Sequence, residues 1–219
     1  MPISDTATRH NPGREVTIAP VGLGGYLAAP EAGAGIVIFA HGSGSGRDSP
    51  RNQFVARALQ RAGLGTLLLD LLTESEALDR ANVFDIALLA ERLLGATQWL
   101  RREMPHKVAI GYFGASTGAG AALVAAAQSP EPTGAVVSRG GRPDLAGPRL
   151  REVTAPTLLI VGGADTEVLA LNRRALEMLS GEKHLSIVPG ATHLFEEPGT
   201  LEKVVELASH WFETHLGRA

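Results

Sequence analysis

The feature that most constrains this chain is the pentapeptide Gly114-Ala115-Ser116-Thr117-Gly118, which has the pattern G-x-S-x-G. An apolar run at 108–113 precedes it and an alanine-rich run at 119–128 follows it. A strand, a sharp turn and a helix in that order form the context in which this motif exposes a serine hydroxyl. Small neighbours leave room for the strained backbone at Ser116, and free N–H groups at the helix start lie beside its side chain. The stretch therefore predicts a nucleophilic serine, and the alternative is a glycine-rich turn without chemistry.

Composition narrows the class of protein. The chain has 219 residues, of which 44% are apolar and 20% charged, as expected for one globular domain. A net charge of −3 provides no excess of positive charge that would attract nucleic acid or an anionic membrane. There is no cysteine, so a disulfide, a thiolate metal site or a cysteine nucleophile is excluded.

The ends of the chain suggest its organisation. Residues 1–14 are polar, with Pro and Gly, and are expected to be loosely ordered, whereas 15–219 should form a single domain. Residues 1–6 lack a basic and an apolar segment of the kind that directs secretion, and no apolar run is long enough to span a membrane. We therefore expect a cytoplasmic protein that does not bind membranes.

The periodicity of apolar residues predicts alternating strands and helices. A hairpin is expected at 15–19 and 23–28, and buried strands at 36–40, 65–69, 108–113, 135–138, 157–161 and 184–188. Helices are expected at 50–61, 82–102, 119–128, 167–179 and 200–216, with a polar loop at 73–80 and a loop or short helix at 139–148. This spacing predicts an α/β fold in which about eight mostly parallel strands carry helices on both faces.

Ligands bind at the carboxyl ends of the strands in such a sheet. Three chemically suited side chains follow separate strands there: Ser116, Asp165 and His193. Their order along the chain is the order in which serine hydrolases with a G-x-S-x-G turn carry their catalytic groups. We expect them to meet as a catalytic triad.

Each member of this set has a role and an alternative. His193 would take the proton of Ser116, because imidazole is a suitable base near neutral pH. Asp165 would hold the other ring nitrogen, although an aspartate at this position also fits a helix N-cap. Asp144, near the end of the preceding strand, is the substitute acid.

An oxyanion hole is expected from two backbone N–H groups, those of Thr117 and Ser43. The loop His41-Gly42-Ser43-Gly44-Ser45-Gly46 could alternatively cradle a phosphate, but no phosphate-binding glycine register fits it. His41 is interpreted as a structural hydrogen-bonding group beneath this loop.

Taken together, these residues resemble the α/β-hydrolase family, and within it the dienelactone-hydrolase-like branch, from Ile36 onward. The segments 41–46, 70–73, 139–145 and 190–195 also resemble a bacterial subgroup found with, or fused to, phosphoribosyltransferase domains. Dienelactone hydrolases proper use a cysteine nucleophile and carry a glutamate where this chain has His41-Gly42. The resemblance therefore implies a serine-nucleophile variant with an α/β-hydrolase fold.

The function expected is that of a carboxylesterase-like serine hydrolase, which cleaves small carboxylic esters through an acyl-enzyme without a metal or organic cofactor. The connection between 138 and 157 is too short for a large lid, and 73–80 together with the start of the next helix could form a small cover. Arg47, Glu74 and Arg139 are expected on loops at the rim, either touching substrate or simply solvated.

Several alternatives remain open at this point. The same triad could cleave a lactone, thioester or amide, or the fold could serve binding alone. The resemblance also allows a non-catalytic partner subunit associated with phosphoribosyltransferases. A monomer or homodimer acting on a small acyl substrate, without nucleic acid, is expected.

Overall fold

A computed structural model describes residues 13–104 and 106–217. Its strands are β1 (Arg14–Ile18), β2 (Leu23–Ala28), β3 (Ile36–Ala40), β4 (Gly65–Leu69), β5 (Ile110–Ala115), β6 (Ala135–Arg139), β7 (Thr157–Gly162) and β8 (Lys183–Val188). All described strands join one sheet of eight, in the order β1-β2-β4-β3-β5-β6-β7-β8. Strand β2 pairs antiparallel with β1 and β4, and all other neighbours are parallel. The expected hairpin and mostly parallel sheet are confirmed.

Helices cover both faces of this sheet, as parallel strands require. They are α1 (Pro50–Arg61), α2 (Glu74–Ala77), α3 (Arg80–Phe84), α4 (Ile86–Glu103), α5 (Thr117–Gln128), α6 (Thr166–Met178) and α7 (Thr200–Leu216). Helices α1 and α7 pack on one face, around Phe39, Phe113 and Phe212. Helices α4, α5 and α6 pack on the other face, around Tyr112 and Leu93.

The register of the central strands brings their carboxyl ends to one edge. Ala40 of β3 is opposite Gly114 of β5, and Ala115 is opposite Arg139 of β6. The loops after β3, β5 and β6 therefore leave the sheet side by side. This edge is where the predicted functional residues gather.

The region between β4 and α4 differs from the sequence prediction. The expected polar loop at 73–80 contains α2, because Thr73 and Glu76 cap its first turn reciprocally. The expected helix from Asn82 is divided, since Asp85 accepts from the Leu88 N–H at 3.0 Å and starts α4 afresh at Ile86. Short polar capping residues thus convert one predicted loop and helix into three helices.

At the amino-terminal side, β1 already begins at Arg14, the last residue of the segment expected to be loosely ordered. Residues 1–12 lie outside the described part of the chain. Between β6 and β7 the chain forms a 3₁₀-helical segment, Pro143–Glu152, kinked at Gly147. This matches the expected short connection without a large lid.

Candidate active site

Ser116 occupies the sharp turn between β5 and α5. Its φ of 50° and ψ of −123° place a residue with a side chain in the left-handed region, which is unusual outside functional turns. The Ser116 N–H donates to the Arg139 carbonyl at 3.3 Å, and its own carbonyl accepts from the Arg142 N–H at 3.0 Å. Hydrogen bonds on both sides therefore hold the strained turn in place.

Close packing explains the glycines around this serine. A Cβ on Gly118 would collide with the carbonyl oxygens of Ala40 and His41, so α5 approaches the end of β3 as closely as backbone permits. A Cβ on Gly42 would lie 2.9 Å from the Ser116 Cβ. The loop after β3 and the Ser116 turn are thus in direct contact.

The three predicted catalytic side chains meet at this turn. The His193 Nε2 lies 3.3 Å from the Ser116 Oγ, and the His193 Nδ1 lies 2.7 Å from the Asp165 Oδ2. The Asp165 side chain is only 15% exposed, whereas that of His193 is 38% exposed. A shielded carboxylate, a bridging imidazole and a hydroxyl thus form one continuous hydrogen-bonded chain.

Asp165 makes the contacts of both roles that its sequence position suggested. One carboxylate oxygen contacts His193, while the other accepts from the Val168 N–H at 3.4 Å as the N-cap of α6. Asp144, the substitute acid, instead forms a two-point ion pair with Arg142 at 2.7–2.8 Å. Of the two acids, Asp165 is the one placed against the imidazole.

The expected oxyanion donors lie together, with one unforeseen contact. Thr117 is the first residue of α5, where the backbone N–H has no partner within the helix. The Ser43 N–H donates to the Thr117 Oγ1 at 3.0 Å. The threonine side chain, which was not predicted to be constrained, therefore ties the two residues together.

His41 supports this loop through both ring nitrogens. Its Nε2 accepts from the Leu71 N–H at 3.0 Å, so Nδ1 carries the proton and donates to the Gly42 carbonyl at 2.9 Å. Burial lowers the pKa of His41 below its ordinary value, outweighing that carbonyl and the charge of Asp70. The neutral imidazole therefore joins the loop after β3 to the end of β4 through hydrogen bonds.

A cavity of about 560 Å³ opens beside the loop at 41–46 that follows β3. Leu72, Val83 and Leu89 give it an apolar wall, and the cover formed by α2 and α3 contributes to its rim. Its lining residues are Gly22, Gly24, His41, Gly42, Ser43, Gly44, Ser45, Arg47, Asp70, Leu72, Thr73, Glu74, Ala77, Val83 and Leu89. Gly42 lines the cavity and also lies against Ser116, whereas Ser116, Asp165 and His193 are not among the lining residues.

Two of the three expected rim residues line this cavity. Arg47 pairs with Glu15 at 3.2 Å and with Asp70 at 3.4 Å, and its guanidinium carbon lies 4.9 Å from the Tyr26 ring centre. Carboxylates of the protein itself therefore neutralise the charge of Arg47. Glu74, the first residue of α2, is exposed at the cavity rim.

The third expected rim residue, Arg139, was placed wrongly. It is the last residue of β6 rather than a loop residue, and it is only 7% exposed. The strand continues one residue beyond the predicted end, so alternation along β6 directs this side chain into the layer that contains Val137. Arg139 is a buried side chain beside the site.

Asn172 on α6 supports the site and was not among the predicted residues. It is fully buried, and its Nδ2 donates to the Gly141 carbonyl at 2.9 Å and to the Val168 carbonyl at 2.8 Å. Gly141 precedes Arg142, whose N–H holds the Ser116 carbonyl. Asn172 lies at helical spacing from the apolar residues Val168 and Ala175, and this position of a polar residue was the available signal.

Two features are absent from the described residues. Within 13–104 and 106–217, no group of three His, Asp or Glu side chains has the arrangement of a metal site. No helix in the same ranges is long and apolar enough to cross a membrane.

Comparison with solved structures finds close similarity over nearly the whole chain. A dienelactone hydrolase from Anabaena variabilis is 58% identical, with a TM-score of 0.87 over 93% of this chain and 97% of that one. An alpha-beta serine hydrolase homologue from Coxiella burnetii (20% identity, TM-score 0.75, 90% and 96% covered) shares the fold. The esterase domain of a Rhodothermus marinus protein also shares the fold, with 20% identity and a TM-score of 0.73 over 93% of this chain and 99% of that one.

Curated proteins add a second kind of relative. Proteins from two Mycobacterium tuberculosis strains, provisionally named phosphoribosyl transferases, are 60% identical over 203 residues and 92% of this chain. The match covers 46% of their length, so this chain spans about half of these relatives. No family model matches the chain.

Proposed function

The chain belongs to the α/β-hydrolase family, in its dienelactone-hydrolase-like branch, and from that premise we propose a serine hydrolase that cleaves small carboxylic esters through an acyl-enzyme. The observation that carries this proposal is the chain of hydrogen bonds from Ser116 through His193 to Asp165, at 3.3 and 2.7 Å. A serine hydroxyl is a poor nucleophile until a base removes its proton. This chain contains the base and the carboxylate that orients it.

The positions of Ser116, His193 and Asp165 support the first half of this reaction. The His193 Nε2 accepts the Ser116 proton as Oγ attacks the ester carbonyl, and Asp165 stabilises the imidazolium through Nδ1–H. His193 then gives the proton to the departing alkoxide, which leaves as an alcohol. In the second half, His193 activates a water that hydrolyses the acyl-enzyme and releases the acid.

Negative charge on the carbonyl oxygen would be met by backbone N–H groups. The Thr117 N–H at the positive end of α5 is one donor, and the Ser43 N–H is the other once it turns from the Thr117 Oγ1 to the substrate. Such donors act on charge that develops only in the transition state, so they accelerate the reaction.

The cavity supports a preference for small, largely apolar acyl or alcohol groups. Its apolar wall of Leu72, Val83 and Leu89 can bury a short alkyl chain, and about 560 Å³ lies within the usual range of small-molecule sites. Charges on its rim are either paired, as for Arg47, or negative, as for Glu74. We therefore propose that this side of the substrate is uncharged.

The name of the Anabaena relative favours a lactone as the second candidate substrate. A lactone is a cyclic ester, so the same attack and acyl-enzyme apply, with the leaving alcohol remaining attached. Comparing kcat/KM for lactones with that for linear thioesters and esters of equal size would separate these classes.

A further candidate concerns a partner. The Mycobacterium tuberculosis relatives carry transferase names and extend beyond the length that this chain matches. We propose, on this observation, that the chain works beside a phosphoribosyltransferase. Co-purification of this chain with the phosphoribosyltransferases of its own cell would test the association.

The Ser116→Ala variant tests the proposed reaction. It should lose on the order of 10⁴ or more of kcat on p-nitrophenyl butyrate, because no other group can form the acyl-enzyme. Ser129→Ala, at the opposite end of α5, is the matched control and should keep full activity. Undiminished turnover by a folded Ser116→Ala protein would refute the mechanism.

A further inference from the structure

Arg139 is a buried cation with unusual surroundings. It ends β6, is 7% exposed, and extends into the layer beneath α1 and α7. Its guanidinium carbon lies 6.0 Å from the ring centre of Phe195, which covers it. The side chain is therefore enclosed between the sheet and the loop that carries His193.

Within the described residues, Arg139 has no counter-charge. No described carboxylate lies within ion-pair distance of it, and its buried Nε has no hydrogen-bond partner. The charged group that acts on its pKa is another cation, Arg51 at the start of α1, whose partner Glu196 is the residue after Phe195. Burial, with a smaller contribution from Arg51, lowers the pKa of Arg139 to about 10, so the side chain remains charged at neutral pH.

Arg51 is only partly neutralised. Its Nη1 pairs with the exposed Glu196 at 3.2 Å, but its Nε is buried without a partner among the described residues. Arg51 also lies in the first turn of α1, where the helix end favours negative charge. Two guanidinium groups thus share one neighbourhood with a single carboxylate at its outer edge.

A buried charge is costly unless an opposite charge accompanies it. The guanidinium group presents its N–H donors in a planar fork that matches carboxylate and phosphate oxygens. We propose that Arg139 and Arg51 form a binding site for one anionic oxygen group, a carboxylate or a phosphate, beneath the His193 loop.

This site adjoins the candidate catalytic residues through the backbone. The Arg139 carbonyl accepts the Ser116 N–H, and Phe195 follows His193 by two residues with a left-handed φ of 56°. The anion has two sources: the charged end of an ester substrate or a free anion from solution. The site itself does not depend on the proposed function, whereas its use by an ester substrate rests on it.

Thermal unfolding in sodium phosphate tests the site directly, against sodium chloride of equal ionic strength. Phosphate well above its Kd should raise the wild-type Tm by about 5 °C more than chloride does. This difference should be lost in Arg139→Gln and strongly reduced in Arg51→Gln. Arg149→Gln, which removes an exposed arginine paired with Glu152, is the control and should respond as the wild type does.

If Arg139→Gln does not fold, Arg51→Gln tests the anion site instead. Arg51 is the partly exposed member of the two arginines, so its substitution disturbs the core less. Equal Tm values in phosphate and chloride for the wild type would overturn the site. So would a phosphate effect of equal size in the wild type and Arg51→Gln.

Ester kinetics distinguish the two sources of the anion. If the anion belongs to the substrate, kcat/KM should be at least about 10-fold higher for mono-p-nitrophenyl adipate than for p-nitrophenyl hexanoate. Phosphate should then compete with the adipate ester, and Arg51→Gln should strongly reduce the preference for that ester. If the anion is free, phosphate raises the Tm while both esters react alike. A protein without esterase activity would refute the proposed function, and the Tm comparison would still decide the anion site.

Discussion

Asp165 joins two functions in one side chain, and substitution can separate them. Its Oδ2 holds His193 and its Oδ1 caps α6. Asn also caps helices well but presents the wrong hydrogen-bonding pattern to the imidazole. We expect Asp165→Asn to lose about 10⁴ of kcat on p-nitrophenyl butyrate with little change in the free energy of unfolding.

Asp165→Ala is the matched comparison. It removes the cap as well, so it should lose the same activity and also about 1 kcal/mol of stability. Urea unfolding and steady-state kinetics on both variants provide the measurement. Full activity in Asp165→Asn would show that this carboxylate does not orient His193.

His41 makes the stability of the protein depend on pH. Its pKa is lowered in the folded state, so below the ordinary value near 6.5 the unfolded chain binds the proton more readily. Protonating Nε2 also breaks its bond from the Leu71 N–H. The contribution of His41 is therefore fully present above about pH 6.5 and decreases as the pH falls.

The variant His41→Asn should be less stable than the wild type at pH 7.5. This difference in the free energy of unfolding, the stability gap, should decrease towards pH 5. The change cannot exceed about 1.4 kcal/mol per pH unit for one proton. Urea unfolding across this range measures it, and the exposed His184→Asn is the control. A gap that stays constant or widens on acidification would contradict the assignment.

At the scale of elements, the turn at Ser116 depends on how closely α5 approaches β3. A Cβ on Gly118 would meet backbone carbonyls that cannot move aside, so Gly118→Ala should destabilise the fold by on the order of 3 kcal/mol. A Cβ on Gly95, inside α4, would have no neighbouring heavy atom within 4 Å, so Gly95→Ala should stabilise the fold by about 0.5–1 kcal/mol. Chemical denaturation of both variants tests the prediction, and equal effects would contradict it.

Most elements could be predicted from the sequence because the apolar pattern and the end signals agree. The helix expected at 50–61 is an example, because Ser49 caps α1, Pro50 opens it and Gly63 follows its end. A cover was expected here, but its division into α2 and α3 could not be predicted, since these helices bury no residue and depend on the caps at Thr73 and Asp79. A T-x-x-E pair such as Thr73 and Glu76 indicates a helix start only when an apolar run follows it, and no such run follows Glu76.

The candidate site was predictable to a similar degree. Ser116, Asp165 and His193 each follow a strand, so the topology alone brings them to one edge. The burial of Arg139 was not predictable, because it depends on β6 continuing for a single residue past Ser138. Successive side chains of a strand lie on opposite faces of the sheet, so one extra strand residue decides on which face the last side chain lies. Sequence patterns do not locate the end of a strand to within one residue.

At the scale of the whole molecule, the cover and the cavity beside Ser116 should determine substrate length. Val83 lines the cavity from α3, so Val83→Trp should fill part of it. We expect the ratio of kcat/KM for p-nitrophenyl hexanoate to that for the acetate to fall by about 10-fold. Leu78→Trp is the control, because Leu78 is 87% exposed on the same cover and does not line the cavity.

An unchanged chain-length profile in Val83→Trp would mean that the substrate does not enter this cavity. An equal fall of the hexanoate-to-acetate ratio in Leu78→Trp would mean that the cover responds to any bulky residue. Either result would revise the location of the substrate but would leave the chemistry at Ser116 intact.

The chemistry proposed for this protein depends on Ser116 as a nucleophile activated by His193. Intact-mass spectrometry after treatment with a fluorophosphonate tests this most directly, because such reagents phosphonylate an activated serine and require no knowledge of the substrate. We predict a single adduct that maps to Ser116, is absent from Ser116→Ala, and forms much more slowly in His193→Ala. A folded wild-type protein that gains no adduct, or gains one elsewhere, would contradict this mechanism.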